Sequence, residues 1–224
     1  MSFLKRGNPM SVFLPNGSTV SIAASYDAPI IFTAITNASE AVVSSAGHDL
    51  EAGDLVEVTS GWARLNNRVV RVKTATADSF VLESVNTLHA ARFIAGAGGG
   101  SVRKILAWVP ISQVTESSKS GGEQQNVTYS FLEEDDEHQI PTSKSALSFT
   151  LTMADDPSLP HKNVLLEADD DKLPRAVRVN LASGGVIAYN AFASFDNVPS
   201  LTKNNIMAVT AVFAVVAKFI RYAA

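Results

Sequence analysis

The chain has 224 residues, 46% of them apolar, which suits one large domain or two small ones and argues against disorder as the main state. Its formal net charge is -4, whereas proteins that bind nucleic acid by neutralising phosphates carry a basic face. It contains no cysteine, so disulfides and thiolate metal sites are excluded, and folding in a reducing cytoplasm is expected.

The N-terminal segment is interpreted as the first part of a domain that is interrupted farther along the chain. It contains the basic pair Lys5 and Arg6 but lacks the apolar run and the small-residue cleavage site of a signal peptide, so we expect no export. The fold class predicted for the whole chain is mainly β: a β-sandwich or barrel with one packed α-helix, plus a small inserted all-β domain.

One region of the chain differs from the segments on either side of it. It contains short predicted strands, in which apolar and polar residues alternate, separated by turn signals. They recur from Gly53 to Glu83 and end in the glycine-rich tract 96–101, which is typical of a joint between modules. The motif GHDLEAGD at 47–54 resembles a turn in a small β module that recurs in phage tail-associated proteins. Insertion at a surface turn costs little loop entropy. The predicted domains are an inserted one, 37–100, and a discontinuous one, 1–36 with 101–224.

The second part of the interrupted domain is predicted to place several strands around one helix. Apolar residues at helical spacing predict a helix over 160–168, with Ser158 as its cap and the acidic run 169–171 in a turn after it. Gly184 and Gly185 are expected to supply the positive φ of a tight hairpin. The predicted strands are 102–109, 124–132, 147–153, 175–181 and 206–217.

The last of these strands, Ile206–Ala217, is apolar on both faces. A strand with one solvated face alternates apolar and polar residues, so we infer that this strand is covered twice, by its own core and by something else. Its twelve residues are too few for a membrane-spanning helix, which needs about 20. Association with other copies would cover the second face and protect exposed strand edges.

No catalytic or metal-binding constellation is recognised in the sequence. The four histidines are not spaced as metal ligands or as a catalytic pair. The acidic run 133–137 lacks the pattern of a calcium loop. The glycines of 96–100 are followed by neither a helix nor an acidic residue at dinucleotide distance. We therefore predict no catalysis, no metal and no cofactor.

Two alternatives of other classes are weighed against a structural building block. Trp62 and Trp108 could belong to the binding platform of a monomeric, β-rich carbohydrate-binding or adhesin-like protein. Glu133 with Asp135 or Asp136 could serve an acid hydrolase, which would need a partner acid or base in a cleft. Lone tryptophans beside apolar strands more often lie in a core or an interface, and an acidic run is more often a solvated loop.

The order of elements from Trp108 to Ala217 resembles the major tail tube proteins of lambda-like long-tailed bacteriophages. In that family a strand ending in an aromatic-leucine pair, here Phe131 and Leu132, enters an acidic loop, here 133–137. A second strand then leads to a helix, a hairpin follows, and a long apolar strand after a polar turn closes the domain. The matching positions are 147–153, 160–168, 183–185 and 204–209.

The resemblance implies a structural virion protein, made in the host cytoplasm and located in the phage tail. Its subunits would form homohexameric rings that stack into the tube through which DNA is ejected. The implied partners are other copies of the chain, the tape-measure protein, the tail terminator and tail-tip proteins, and genomic DNA as non-specific cargo, with no membrane. An acidic lumen would repel phosphates and let DNA slide.

Three sets of candidate site residues follow. By analogy with the family, Thr128–Lys144 would contact the next ring, and an N-terminal arm would reach a neighbour. The apolar strand supplies a further set, which is drawn from every second residue and therefore lies on one face of the strand. The sets are the ring-stacking loop (Glu133, Glu134, Asp135, Asp136 and Glu137), the inter-subunit apolar strand (Met207, Val209, Phe213 and Val215) and the N-terminal arm (Phe3 and Leu4).

Overall fold

The computed structural model describes residues 16–223. Strands account for 49% of the described residues and helix for 6%, so the predicted mainly β class with one α-helix is confirmed. The helix is α1 (Pro160–Asp171). The strands are β1 (Thr19–Tyr26), β2 (Ile30–Phe32), β3 (Ala34–Ile35), β4 (Val42–Ser44), β5 (Leu55–Ser60), β6 (Arg68–Ala75), β7 (Ser79–Leu82), β8 (Gly100–Ile111), β9 (Val114–Ser120), β10 (Gln124–Tyr129), β11 (His138–Lys144), β12 (Ser148–Ala154), β13 (Arg175–Asn180), β14 (Val186–Asp196), β15 (Ala208–Val215) and β16 (Ile220–Tyr222).

Nearly all of these strands belong to one antiparallel sheet of 14 strands. Its order is β3-β4-β7-β6-β5-β8-β1-β13-β14-β15-β12-β9, with β2 paired to β8 and β16 paired to β14. Strands β10 and β11 form a separate two-stranded sheet. Strand β8 is the longest of these strands. It connects the part of the sheet that contains β5 with the part that contains β1, because its first half pairs with β5 and its second half with β1.

Two hydrophobic cores lie against the sheet. The first, which we call the module core, is formed mainly by β4–β8 and the loops between them. It also takes in Ala176, Ala188, Ile220 and Tyr222 from the C-terminal third of the chain. The division into an inserted domain, 37–100, and an interrupted one remains a prediction. Module core residues of 1% exposure or less include Phe32, Val43, Val56, Val58, Leu65, Val70, Phe80, Leu82, Val102 and Tyr222.

The second core, which we call the helix core, begins under α1, which packs mainly on β14 and also contacts β8 and β1, and it continues along the inner face of β14, β15 and β12. Leu165 and Ala168 of the helix are fully buried there, as the helical spacing predicts. His161 on the same helix face is also buried, and its burial lowers its pKa. The strand residues of this core include Leu151, Met153, Ala191, Ala193, Phe195, Val209, Ala211 and Phe213.

The ends of α1 differ from the sequence prediction. Pro160 opens the helix, since its fixed φ suits the first turn, but the residue before the helix is Leu159 and no side chain caps it. The expected cap, Ser158, instead binds Asp156. The run 169–171 was wrongly placed after the helix. It forms the last turn, where cations offset its unfavourable position against the helix dipole: Lys172 bonds Asp169 at 3.0 Å and Arg175 pairs with Asp171.

The hairpin between β13 and β14 lies where the sequence predicts it. Asn180 pairs with Val186, and the amide of Gly184 donates to the carbonyl of Leu181. Gly184 has a φ of 87°, as expected. Gly185 does not need a positive φ, and the prediction for it was wrong. There a Cβ would lie 3.1 Å from the carbonyl oxygen of Tyr222, so close approach of β16 explains the second glycine.

A buried polar network fixes the module core to the rest of the sheet. Glu57 on β5 is 4% exposed. Its carboxylate accepts hydrogen bonds from Arg103 on β8 at 2.7 Å and from Asn190 on β14 at 2.9 Å. The Arg103 guanidinium also lies 4.6 Å from the ring centre of Tyr26. Because a buried carboxylate is stable only when paired, these contacts set how the two regions meet.

Replacement of this carboxylate tests the network. Glu57→Ala leaves Asn190 without its partner and Arg103 without its counter-ion, and we expect the free energy of unfolding to fall by about 2–3 kcal/mol. The value lies below that of a fully buried pair because the Arg103 side chain is 41% exposed. Urea unfolding measures it. The matched control is Glu40→Ala, which removes an exposed pair with Lys73 and should cost less than about 1 kcal/mol. Equal losses would contradict the role of Glu57.

Candidate assembly surfaces

The most exposed element is a β-hairpin that projects from the sheet, and we call it the arm. It comprises β10, β11 and the turn between them, residues 123–144, all of which are exposed. It leaves the sheet between β9 and β12, whose pairing ends at Ser120 and Ser148. A two-stranded hairpin with no apolar face buried is marginally stable on its own. The arm is therefore an element that a neighbouring molecule could stabilise.

The base of the arm needs glycine. Gly121 has a φ of 78°, and a Cβ there would lie 1.8 Å from the carbonyl oxygen of Ala146. No side chain fits at that distance, so this position lets the two strands of the arm pass close together as they leave the sheet. Gly122 has a similar φ of 82°, but its Cβ would meet only side chains, Leu147 at 3.4 Å and Lys119 at 3.9 Å.

The tip of the arm combines apolar and acidic side chains. Leu132 is fully exposed and Phe131 is 56% exposed, with the Phe131 ring packed edge-on against Tyr129. The five acidic residues predicted as the ring-stacking loop follow directly. Glu134 binds His138 at 2.8 Å across the turn. The structure thus places the whole run 133–137 at the tip, and its role in stacking remains a prediction.

One face of the sheet formed by β14, β15, β12 and β9 is open, and we call it the outer face. Its residues alternate with those of the helix core, and they are mostly serine, threonine and alanine. Two carry negative charge, Glu116 and Asp196, and none of the paired positions carries a cation. The outer face consists of Glu116, Ser118, Ser120, Ser148, Thr150, Thr152, Ala154, Phe192, Ser194, Asp196, Ala208, Thr210, Val212 and Ala214.

The predicted apolar strand has one face inside its own chain. Val209 and Phe213 point into the helix core, and Phe213 is fully buried. Val215 is half-buried, and Met207, just before β15, is 48% exposed. The strand itself is shorter than predicted, Ala208–Val215. The inter-subunit role of these four residues remains a prediction for the assembled protein. The N-terminal arm, Phe3 and Leu4, lies outside the described residues.

A second apolar surface, which the sequence reasoning missed, lies on the connection between β14 and β15. We call it the apolar loop, residues 197–207. Val198, Leu201 and Ile206 are 76%, 81% and 73% exposed. Large apolar side chains grouped on one loop indicate an interaction surface more often than single ones do. The sequence pattern concealed this loop because Ile206 continues the apolar alternation of the strand that follows.

The arm and the apolar loop lie at opposite ends of the same strands. The arm leaves β12 at Ser148, which pairs with Ala214 on β15, whereas Ala154 at the other end of β12 pairs with Ala208, next to the loop. The strand between them spans about 20 Å, and the arm extends about as far again. The tip of the arm and the apolar loop of one chain are therefore on the order of 40 Å apart and do not meet.

The residues weighed for other functions are dispersed. Among residues 16–223 no group of three or more His, Asp or Glu side chains could hold a metal ion. Trp62 is 3% exposed and donates to the carbonyl of Ile94, so it cannot form a sugar-binding platform. Trp108 is covered by the Arg178 guanidinium, 4.7 Å from its ring centre. In the same part of the chain no helix is both long and apolar enough to span a membrane.

A projecting arm, an open sheet face and an exposed apolar loop define a structural β protein with surfaces for association. A profile of the family described as phage tail tube protein, TTP, matches residues 60–224, which is more than half of the chain. The chain belongs to this family of bacteriophage tail proteins, as the resemblance predicts, and it is a structural protein rather than an enzyme. The match begins within the predicted inserted domain. No curated protein sequence matches the chain.

The first prediction for these surfaces concerns the base of the arm. Gly121→Ala should separate the two strands of the arm, because its Cβ would collide with the Ala146 carbonyl. We expect faster hydrogen exchange of the β10 and β11 amides, with unchanged exchange in β12 and β15. Gly122→Ala is the control, since it bears the same positive-φ cost of about 1 kcal/mol without the collision. Equal exchange in the two variants would contradict this account.

The second prediction separates the two faces of β15. Phe213→Asp puts a charge into the helix core and should destabilise the single chain by about 4 kcal/mol or more. Val212→Asp, one residue away on the outer face, should leave the fold intact. Circular dichroism and size-exclusion chromatography of dilute protein measure both. A folded Phe213→Asp variant, or an unfolded Val212→Asp variant, would show that the faces are assigned wrongly.

Proposed function

We propose that this chain forms homohexameric rings that stack into the tail tube, and that the genome passes through the tube during ejection. Family membership supports assembly into a tube, and the resemblance to lambda-like tail proteins implies six subunits per ring. The proposed stacking rests on one observation: the arm and the apolar loop lie at opposite ends of one set of strands. A subunit built this way has a different surface at each end.

The arm of one subunit contacts the apolar loop of a subunit in the next ring. Phe131 and Leu132 at the tip supply apolar area, and Leu201 and Ile206 on the loop supply the matching area. The acidic run 133–137 beside the tip faces a loop whose charged residue is a lysine, Lys203. Because the two surfaces differ, the contact is head-to-tail, and a contact of that kind repeats without limit along an axis.

The outer face lines the lumen of the tube. Most of its side chains are small and many carry hydroxyl groups, so the face is largely hydrated; Phe192, 45% exposed, is its one bulky side chain. Glu116 and Asp196 give the face a negative sign, and it has no cation that would hold phosphates. A wall of this character repels the DNA backbone weakly along its whole length, so DNA moves along the tube without binding to it. This agrees with the acidic lumen that the resemblance implies.

The open edge of β9 closes the ring. Strand β9 pairs with β12 on one side and ends the sheet on the other, and an unpaired edge is a template for a strand of a neighbour. Met207 and Val215 lie at the two ends of β15, where they are only partly covered. Val209 and Phe213 support the strand from inside. The N-terminal arm, Phe3 and Leu4, completes the contact with a neighbouring subunit.

Other tail components meet the ends and the inside of this tube. The tape-measure protein occupies the lumen during assembly, and the terminator and tail-tip proteins meet the exposed arms or apolar loops of the last rings. The region 37–100 is an inserted domain on the interrupted tube domain. The monomeric carbohydrate-binding alternative has lost its main support, because Trp62 is buried.

Engineered disulfides test the stacking contact, because the chain has no cysteine of its own. In Leu132→Cys/Leu201→Cys, oxidation of assembled protein should join successive rings. We expect a ladder of covalent oligomers on a non-reducing gel, since each chain offers one cysteine at each end. The matched control is Leu132→Cys/Leu88→Cys, in which the second cysteine replaces another exposed leucine, 59% exposed and far from the loop in the sheet order.

Electron microscopy of the same samples separates the parts of the proposal. Tubes with six-fold symmetry and a ladder confined to the 132/201 pair are the expected result. Six-fold tubes without that ladder, or with an equal ladder in the control, would contradict the arm-to-loop contact but not the tube. Concentrated protein that forms neither rings nor tubes, and whose oxidation gives no oligomers, would overturn the proposed function.

A further inference from the structure

An open cavity of about 670 Å³ is lined by residues from the segments 63–68, 84–93 and 216–218. Four cationic residues line it, Arg64, Arg68, Arg92 and Lys218, together with His89, and no aspartate or glutamate does. None of the four cations forms an ion pair within residues 16–223, and residues 1–15 contain no acidic side chain. In a chain of net charge -4, this concentration of cations creates a local attraction for anions.

Arg68 is the innermost of these cations. It is 8% exposed, and its Nε atom is buried without a hydrogen-bond partner. Burial lowers the pKa of this guanidinium, which reflects the cost of removing its charge from water. The terminal NH₂ groups of Arg68 are not closed off in this way and have no hydrogen-bond partner among the described residues, so they are the donors that an acceptor in the open cavity could reach. The residue therefore indicates a ligand that carries negative oxygen atoms.

Two asparagine side chains add uncharged donors to the same lining. The Asn66 Oδ1 atom accepts from the Ser60 amide at 3.1 Å, and the Asn86 Oδ1 atom accepts from the Leu88 amide at 3.0 Å. These bonds orient both amide groups and leave their NH₂ groups without a hydrogen-bond partner within the described part of the chain. The site thus offers several donors around one space and few acceptors, which is what an oxyanion requires.

The cavity offers a nucleobase one exposed ring, the imidazole of His89. Phe93, the other aromatic residue in its lining, is 6% exposed and packs edge-on against Trp62 with ring centres 5.1 Å apart. Base recognition in single strands depends on stacking against exposed rings. Apart from His89, the chemistry of the lining therefore favours a ligand that is recognised by its charge and its oxygen atoms.

We propose that this cavity binds a phosphate group, supplied as inorganic phosphate or as a phosphate ester. Guanidinium groups bind phosphate through paired hydrogen bonds, and the donors around Arg68 suit its several oxygens. A phosphate carries more charge than a single carboxylate, which matches four neighbouring cations better. The site is independent of the proposed function, since its residues belong to neither the arm, the outer face nor the apolar loop.

Calorimetry with inorganic phosphate at low ionic strength tests the site on the full chain. We expect saturable binding that weakens about tenfold or more in Arg64→Gln/Arg92→Gln. Both arginines are exposed, so this variant keeps its fold. Arg68→Gln should weaken phosphate binding further. Thermal unfolding of this variant shows whether it still folds. Lys203→Gln removes an exposed cation outside the cavity and should bind phosphate as the original chain does.

Two further titrations identify the source of the ligand. A short oligothymidylate that binds through Arg64 and Arg92 would assign the phosphate group to a diester backbone. Binding of inorganic phosphate alone would assign it to a free or monoester group. The proposal is overturned if millimolar phosphate does not bind, if the double variant binds equally well, or if a peptide of residues 129–139 binds the cavity more tightly than phosphate. Tighter binding of the peptide would indicate that the cavity is occupied by the acidic tip of the arm of another copy of the chain.

Discussion

One-sided burial of β12, β14 and β15 is the constraint on which the rest of the structure depends. The inner face of these strands supplies Met153, Phe195 and Phe213 to the core under α1. This burial fixes the register of all three strands, because a slip of one residue would turn those side chains to solvent. The outer face is free of any role in the core, so its small polar and acidic residues can serve a surface function without cost to the fold.

The same register gives the subunit a direction. Because β12 and β15 pair along their whole length, from Ser148 with Ala214 to Ala154 with Ala208, the arm and the apolar loop are held apart by a rigid ladder. A flexible connection would let the two surfaces of one chain meet and satisfy each other. The ladder prevents this, so the exposed apolar residues of the arm and of the loop do not cover each other within one chain.

The sequence is sufficient to predict the fold class, the helix and the sites of most C-terminal strands, because these depend on local periodicity and on turn residues such as Gly184. It also places the acidic run 133–137 at an exposed turn. It misjudges the end of α1, where Lys172 and Arg175 let acidic residues remain helical. It cannot identify the apolar loop or the cationic cavity, because each is defined by exposure after folding. The cavity residues come from three segments, near residues 64, 90 and 218.

Charge is distributed unevenly over this subunit, and the distribution follows the ends and faces of the sheet. The acidic tip and the outer face carry carboxylates that have few cationic partners, whereas the cavity gathers cations that have no carboxylate. Some of the remaining charges are paired, as in Arg71 with Glu83 and Lys104 with Asp54. The side chains of these two pairs are partly buried, and each pair neutralises the surface around it. What distinguishes the acidic tip and the cavity is that several charges of one sign lie close together without counter-ions. At these two places a charged partner, and not the fold, would determine which residues are present.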